Sequence, residues 1–133
     1  MTELARLSLD RKLSRASAAR LAAVAVAEIV GLSPEDAADV ELAVGEAVGN
    51  ALAYGDLPHV QVRFATDGET LFVEILGNRR RFTTKDDAMP GAGAESGRGT
   101  ALMLRLVDGV RYCPTPDGLA VRLEKRLKNP PIG

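Results

Sequence analysis

Apolar residues recur along this chain with two different periods. Ala16 to Val30 is alanine-rich and apolar on most faces, and it stops at Gly31, which predicts a helix closed by a left-handed glycine cap. Ser33-Pro34-Glu35-Asp36 follows at once. Serine caps a helix start, proline suits its first position, and acids favour its positive end, so a second helix is predicted from about Pro34 to Tyr54, ending at Gly55. Beyond Gly55 the period drops to two. Val60, Val62 and Phe64, then Leu71, Val73 and Ile75, alternate with their neighbours on either side of Asp67-Gly68, the pattern of a β-hairpin. Val110, Tyr112 and Val121, Leu123 flank Thr115-Pro116-Asp117-Gly118 and predict a second hairpin. Leu4–Leu9 alternates loosely as a first strand, and Thr100–Val107 is a short apolar helix. Lys125–Gly133 reads as a basic, proline-ended tail that frays, fully flexible over 128–133.

The predicted order is β-α-α-β-β-loop-α-β-β. Strands grouped in hairpins argue for an α+β fold: a two-layer α/β sandwich with helices on one face of a mixed, mostly antiparallel sheet. With 133 residues the chain fits a single domain spanning 1–133.

A formal net charge of −1 gives no general attraction to nucleic acid or an anionic membrane, so a partner must be met by a local site. Cys113 is the one cysteine, which excludes an internal disulfide and agrees with a reducing cytoplasm. It reads as packing, and Tyr54 and Tyr112 read as covers of core edges. No apolar leader core and no run of 18 apolar residues is present, so neither secretion nor a membrane span is inferred. His59, the only histidine, opens a strand and reads as exposed; one histidine and one cysteine make no zinc cluster.

Glu46 and Asn50 are four apart inside the second predicted helix, which stacks a carboxylate and a carboxamide on one face, roughly 5–6 Å apart at Cβ. Leu42, Ala43, Gly49 and Ala53 share that face, while Val40, Val44, Ala47, Val48, Ala51 and Leu52 make the core stripe. Small neighbours leave room for a ligand. On periodicity alone, a plain solvent-facing stripe accounts for the pair at least as well. Downstream, Ser96-Gly97-Arg98-Gly99-Thr100 opens a helix after a glycine-rich run. Glycines let backbone approach closely, and free N–H groups at a helix start favour an anion.

Together these segments resemble the anti-sigma-factor serine-protein kinases of bacteria, a branch of the histidine-kinase-like ATPases with the Bergerat fold. Glu41-Leu42-Ala43-Val44-Gly45-Glu46-Ala47-Val48-Gly49-Asn50-Ala51 is similar to that family's N-box. Glu95-Ser96-Gly97-Arg98-Gly99-Thr100-Ala101-Leu102 is similar to its second glycine box, and Val121–Lys125 to its last strand. The resemblance implies ATP and Mg²⁺ as cofactors. Asn50 would bind the metal, Glu46 would be the catalytic base towards a substrate serine, and Gly97, Arg98, Gly99 and Thr100 would hold the nucleotide under a lid loop over 83–98. It further implies a cytoplasmic regulator of transcription in the stress response, partnered by a sigma factor or a STAS-domain anti-anti-sigma factor, and a homodimer.

One box departs from that pattern. Where the family carries Asp-x-Gly-x-Gly-Phe, this chain reads Gly77-Asn78-Arg79-Arg80-Arg81-Phe82. Gly77 lacks the carboxylate that accepts the adenine amino group, and Arg79 and Arg81 replace both glycines. Losing a hydrogen bond to a charged group costs about 1.5–3 kcal/mol, tenfold to over a hundredfold in affinity. The expectation is therefore an anti-sigma-type regulator with weak or lost ATP binding; the alternative is an active Mg-ATP-dependent serine kinase. On this register, Gly77→Asp with Arg79→Gly and Arg81→Gly should improve ATP binding.

Overall fold

A computed structural model describes residues 1–79 and 101–128. Five strands form one sheet: β1 (Thr2–Asp10), β2 (His59–Thr66), β3 (Thr70–Asn78), β4 (Gly109–Thr115) and β5 (Gly118–Arg126). Their spatial order is β1-β2-β3-β5-β4. Every neighbouring pair is antiparallel, so the described sheet is wholly antiparallel rather than mixed. Two helices, α1 (Ala16–Ile29) and α2 (Pro34–Tyr54), cover one face, and residues 101–106 are helical as well. The α+β two-layer arrangement expected from the hairpin grouping is the one observed.

Period two explains which side of the sheet is covered. Val60, Val62 and Phe64 of β2 and Leu71, Val73 and Ile75 of β3 are buried towards the helices. Each such side chain contributes about 1.5–3 kcal/mol on full burial. From above, α1 supplies Ala19, Ala23, Val26 and Ala27, and α2 supplies Val40, Ala43, Val44, Ala47, Val48 and Leu52. Alanines at the contact let the helices lie close to the sheet.

The helix boundaries follow from local chemistry. Gly31 adopts φ +80°, while the Gly31 N–H bonds Glu28 O and the Leu32 N–H bonds Ala27 O, the paired bonds of a Schellman cap. The Ser33 hydroxyl accepts from the Asp36 N–H at 3.1 Å and starts α2. In the first hairpin the Asp67 carboxylate accepts from the N–H groups of Glu69 and Thr70, with Gly68 at φ +93°.

The chain end departs from expectation. β5 runs to Arg126, Leu127 is buried, and its N–H bonds Glu69 O at 2.8 Å. Lys125 reaches Asp36 at 3.6 Å and donates to Leu106 O at 2.8 Å, so this stretch is stitched to α2 instead of fraying. Lys128 also meets Asp36, at 3.4 Å. Residues beyond 128 lie outside the described set. Tyr54, expected to cover a core edge, is 56% exposed.

The other sheet face is polar. Arg6, Arg63, Glu74, Arg122 and Arg111 stand opposite one another across all five strands. Arg63 donates to Glu3 at 2.9 Å and to Glu74 at 2.7 Å, and the Arg122 guanidinium sits 4.5 Å from the Phe72 ring centre.

Candidate functional site

Both ends of α2 are held firmly, which sets where Glu46 and Asn50 stand. At its start are the Ser33 cap and Asp36, an acid buried beside Lys125 and Lys128. At its end the Arg11 guanidinium donates to Leu52 O at 2.7 Å, Ala51 O at 3.2 Å and Leu57 O at 3.2 Å. A helix leaves its last carbonyls without partners and carries partial negative charge there, so a cation at this point satisfies both. Arg11 carries no local sequence signal, because its partners lie 40 to 46 residues downstream.

Between these anchors, Glu46 and Asn50 are half-buried on α2. Neither side chain has a hydrogen bond or ion pair among the described residues. Among the described residues nothing within 4 Å would meet a side chain at Gly49, so they leave the helix surface beside the pair uncovered. Ala43, expected on that open face, is instead fully buried. α2 packs against the sheet and α1 together, and this widens its buried arc. Gly97, Arg98, Gly99 and Thr100, and the 83–98 loop, lie outside the described residues.

Gly77 stands where the resemblance expects the base-recognising carboxylate. Gly77 points inward, in the same alternation as Val73 and Ile75, at an irregularity in the β3–β5 pairing between Leu76 and Asn78. A Cβ built on Gly77 would lie 2.7 Å from Ala51 Cβ and 3.2 Å from Val60 Cγ2. The Gly77 carbonyl accepts from the N–H groups of Asp56 at 3.0 Å and Leu57 at 3.2 Å. The Asp56 carboxylate in turn accepts from the Arg79 N–H at 2.6 Å. These bonds clasp the end of α2 to the end of β3. A side chain at Gly55 would collide with the Gly77 carbonyl, so glycine is required on both sides of this close approach. Asp56, like Arg11, carries no local sequence signal, because its partner lies 23 residues away.

The two groups of residues expected to meet a nucleotide fit it unequally. On the side expected to hold the metal, Asn50 offers a carboxamide oxygen with no partner among the described residues. No group of three or more His, Cys, Asp or Glu able to hold a metal occurs among the described residues, so a cation there would need phosphate and water to complete its shell. On the base side no carboxylate stands at position 77, and the volume its β-carbon would need is taken by Ala51. The sequence-based repair through Gly77→Asp therefore requires α2 to shift.

A cavity of about 500 Å³ lies elsewhere, lined by Arg6, His59, Gln61, Arg63, Glu74 and Leu76 among others on the polar sheet face. Its guanidinium groups are already engaged by Glu3 and Glu74. Among the described residues, no helix is long and apolar enough to cross a membrane.

Comparison with known proteins returns a family and a fold. Residues 9–125 match the model of the histidine kinase-like ATPase domain. The solved RsbU and RsbW domains of Rv1364c from Mycobacterium tuberculosis superpose with a TM-score of 0.67 at 21% identity, over 96% of this chain and 34% of that one. The histidine kinase domain from the Erythrobacter litoralis EL346 blue-light activated histidine kinase gives 0.56 at 21% identity, over 84% and 60%. This chain thus spans about a third of the first and three fifths of the second. No curated protein matches it significantly.

Proposed function

This chain belongs to the histidine kinase-like ATPase domain family, and from that premise we propose that it is an anti-sigma-type regulator of bacterial transcription. It holds a sigma factor, or a STAS-domain anti-anti-sigma partner, and binds ATP weakly or not at all. The setting is the cytoplasm, in a stress-response circuit, and the same reading carries a homodimer as the working form.

The observation that carries this reading is the Gly77–Ala51 contact. A base pocket of this family needs a carboxylate acceptor, and position 77 has neither that side chain nor the space for its β-carbon. Partner binding asks less of that pocket, because a protein can be recognised through the helical layer. A kinase reading is favoured by a different observation: Glu46 and Asn50 stand side by side on α2 without hydrogen-bond or ion-pair partners among the described residues. In that case Glu46 takes a proton from a partner serine, and Asn50 contributes a ligand to Mg²⁺.

Calorimetric titration with Mg-ATP separates the two, run beside size-exclusion co-elution with candidate sigma factors and STAS-domain proteins encoded nearby. The regulator reading expects co-elution with one candidate and little or no heat from ATP. Failure of every candidate to co-elute removes it. Tight ATP binding, with phosphate transfer that disappears in Glu46→Ala, establishes the kinase instead.

A further inference from the structure

The helix α1 lacks the polar outer face that an exposed helix carries. From Ala16 to Ile29 only Ser17, Arg20 and Glu28 are polar. Ala19, Ala23, Val26 and Ala27 point into the core, yet Ala18, Leu21, Ala25 and Ile29 point out. Leu21 is 72% exposed and Ile29 is 68% exposed. Their spacing of four, through Ala25, makes one continuous apolar ridge. A helix that is apolar all round is normally covered on every side. The neighbouring helix adds Leu42, exposed on α2. The two helices lie alongside, because the Arg20 stem passes within contact distance of the Gly45 position.

Charge says what kind of partner covers this ridge. Residues 16–54 hold six acids (Glu28, Glu35, Asp36, Asp39, Glu41 and Glu46) and a single base, Arg20, in a chain whose formal net charge is only −1. Asp36 and Asp39 are matched by Lys125 and Lys128. Glu28, Glu35 and Glu41 have no ion-pair partner among the described residues. The helical layer is thus an apolar ridge with an acidic surround. A second copy would bring the same acids against it, since a two-fold contact presents one patch to itself. An anionic membrane would be repelled for the same reason.

We propose that the outer surface of α1 and α2 docks a basic amphipathic helix of a partner protein. The apolar side of that helix lies along Leu21, Ala25, Ile29 and Leu42, and its lysines or arginines meet Glu28, Glu35 and Glu41. This rests on the regulator reading and names the surface and partner chemistry it uses.

The probe is a fluorescein-labelled 18-residue lysine–leucine amphipathic peptide, followed by anisotropy; its glutamate–leucine counterpart is the control. The lysine peptide should bind, more weakly as salt rises. Leu21→Ser with Ile29→Ser should weaken it at least tenfold, and so should Glu28→Lys with Glu35→Lys. All four positions are exposed, and an unchanged melting temperature confirms that each variant is folded. Equal binding of the glutamate peptide, or undiminished binding to both double variants, overturns the proposal. So does a sedimenting dimer that Leu21→Ser with Ile29→Ser converts to monomer, because a second copy then owns the ridge. Tighter binding to phosphatidylglycerol vesicles than to the lysine peptide overturns it too. Retention of a co-eluting sigma factor by the Leu21→Ser, Ile29→Ser variant rejects this surface and leaves the regulator reading standing. Ridge-dependent peptide binding with no co-eluting candidate rejects the regulator reading and upholds the surface.

Discussion

Gly77 and Ala51 meet so closely that the missing Cβ of Gly77 would lie 2.7 Å from the Cβ of Ala51. One belongs to β3 and the other to the last turn of α2, so this contact sets how near the end of the helix comes to the sheet. A first prediction follows from overpacking. Gly77→Ala should destabilise the fold by about 1–3 kcal/mol, and Gly77→Asp by more. Ala51→Gly alone costs about 1 kcal/mol as a glycine in a helix. In the Gly77→Ala background it should instead recover stability, because the two sites share one space. Urea denaturation of the four-member cycle measures this; strict additivity would show that the contact is not tight.

Arg11 ties three carbonyls from the end of α2 and the following segment. Arg11→Met keeps an apolar stem and removes the charged donor. It should lower stability by roughly 1.5–3 kcal/mol, the range for a hydrogen bond to a charged group. A lower urea midpoint at unchanged m-value is the expected result.

Burial pushes the Asp36 carboxyl upward, but Lys125 and Lys128, with the Ser33 hydroxyl, outweigh burial and hold it below its ordinary value. A carboxyl depressed in the folded state adds stability that is fully present above the unfolded value of about 3.9 and is lost as pH falls through the folded value. Asp36→Asn should therefore flatten the loss of stability below about pH 4. The readout is the difference between wild-type and variant unfolding free energies across that window; a constant difference there would contradict the assignment.

Glu46 and Asn50 make no described contact that holds the fold together. Glu46→Ala and Asn50→Ala should each change stability by no more than about 0.5 kcal/mol, as surface substitutions do. A larger loss in thermal or urea unfolding would show that the pair serves the fold rather than a ligand.

Much of the architecture was legible because its signals are local. Ser33-Pro34 and Gly31 mark helix ends through bonds made within a few residues, and the alternations around Asp67-Gly68 and Thr115–Gly118 mark hairpins in the same way. The Glu46–Asn50 face was legible from the helical repeat alone. Arg11 and Asp56 were not, since their partners lie far along the chain.

What the sequence alone determined is the set of elements, their order and the helix face carrying a carboxylate beside a carboxamide, because backbone periodicity and capping act over neighbouring residues. Only the tertiary structure decided that Ala43 is interior, that Lys125 and Leu127 are stitched into the fold, and that Gly77 is pressed against Ala51. Each of those depends on how closely α2 approaches the sheet, and that distance is a balance of packing among residues remote in sequence, which no local pattern encodes.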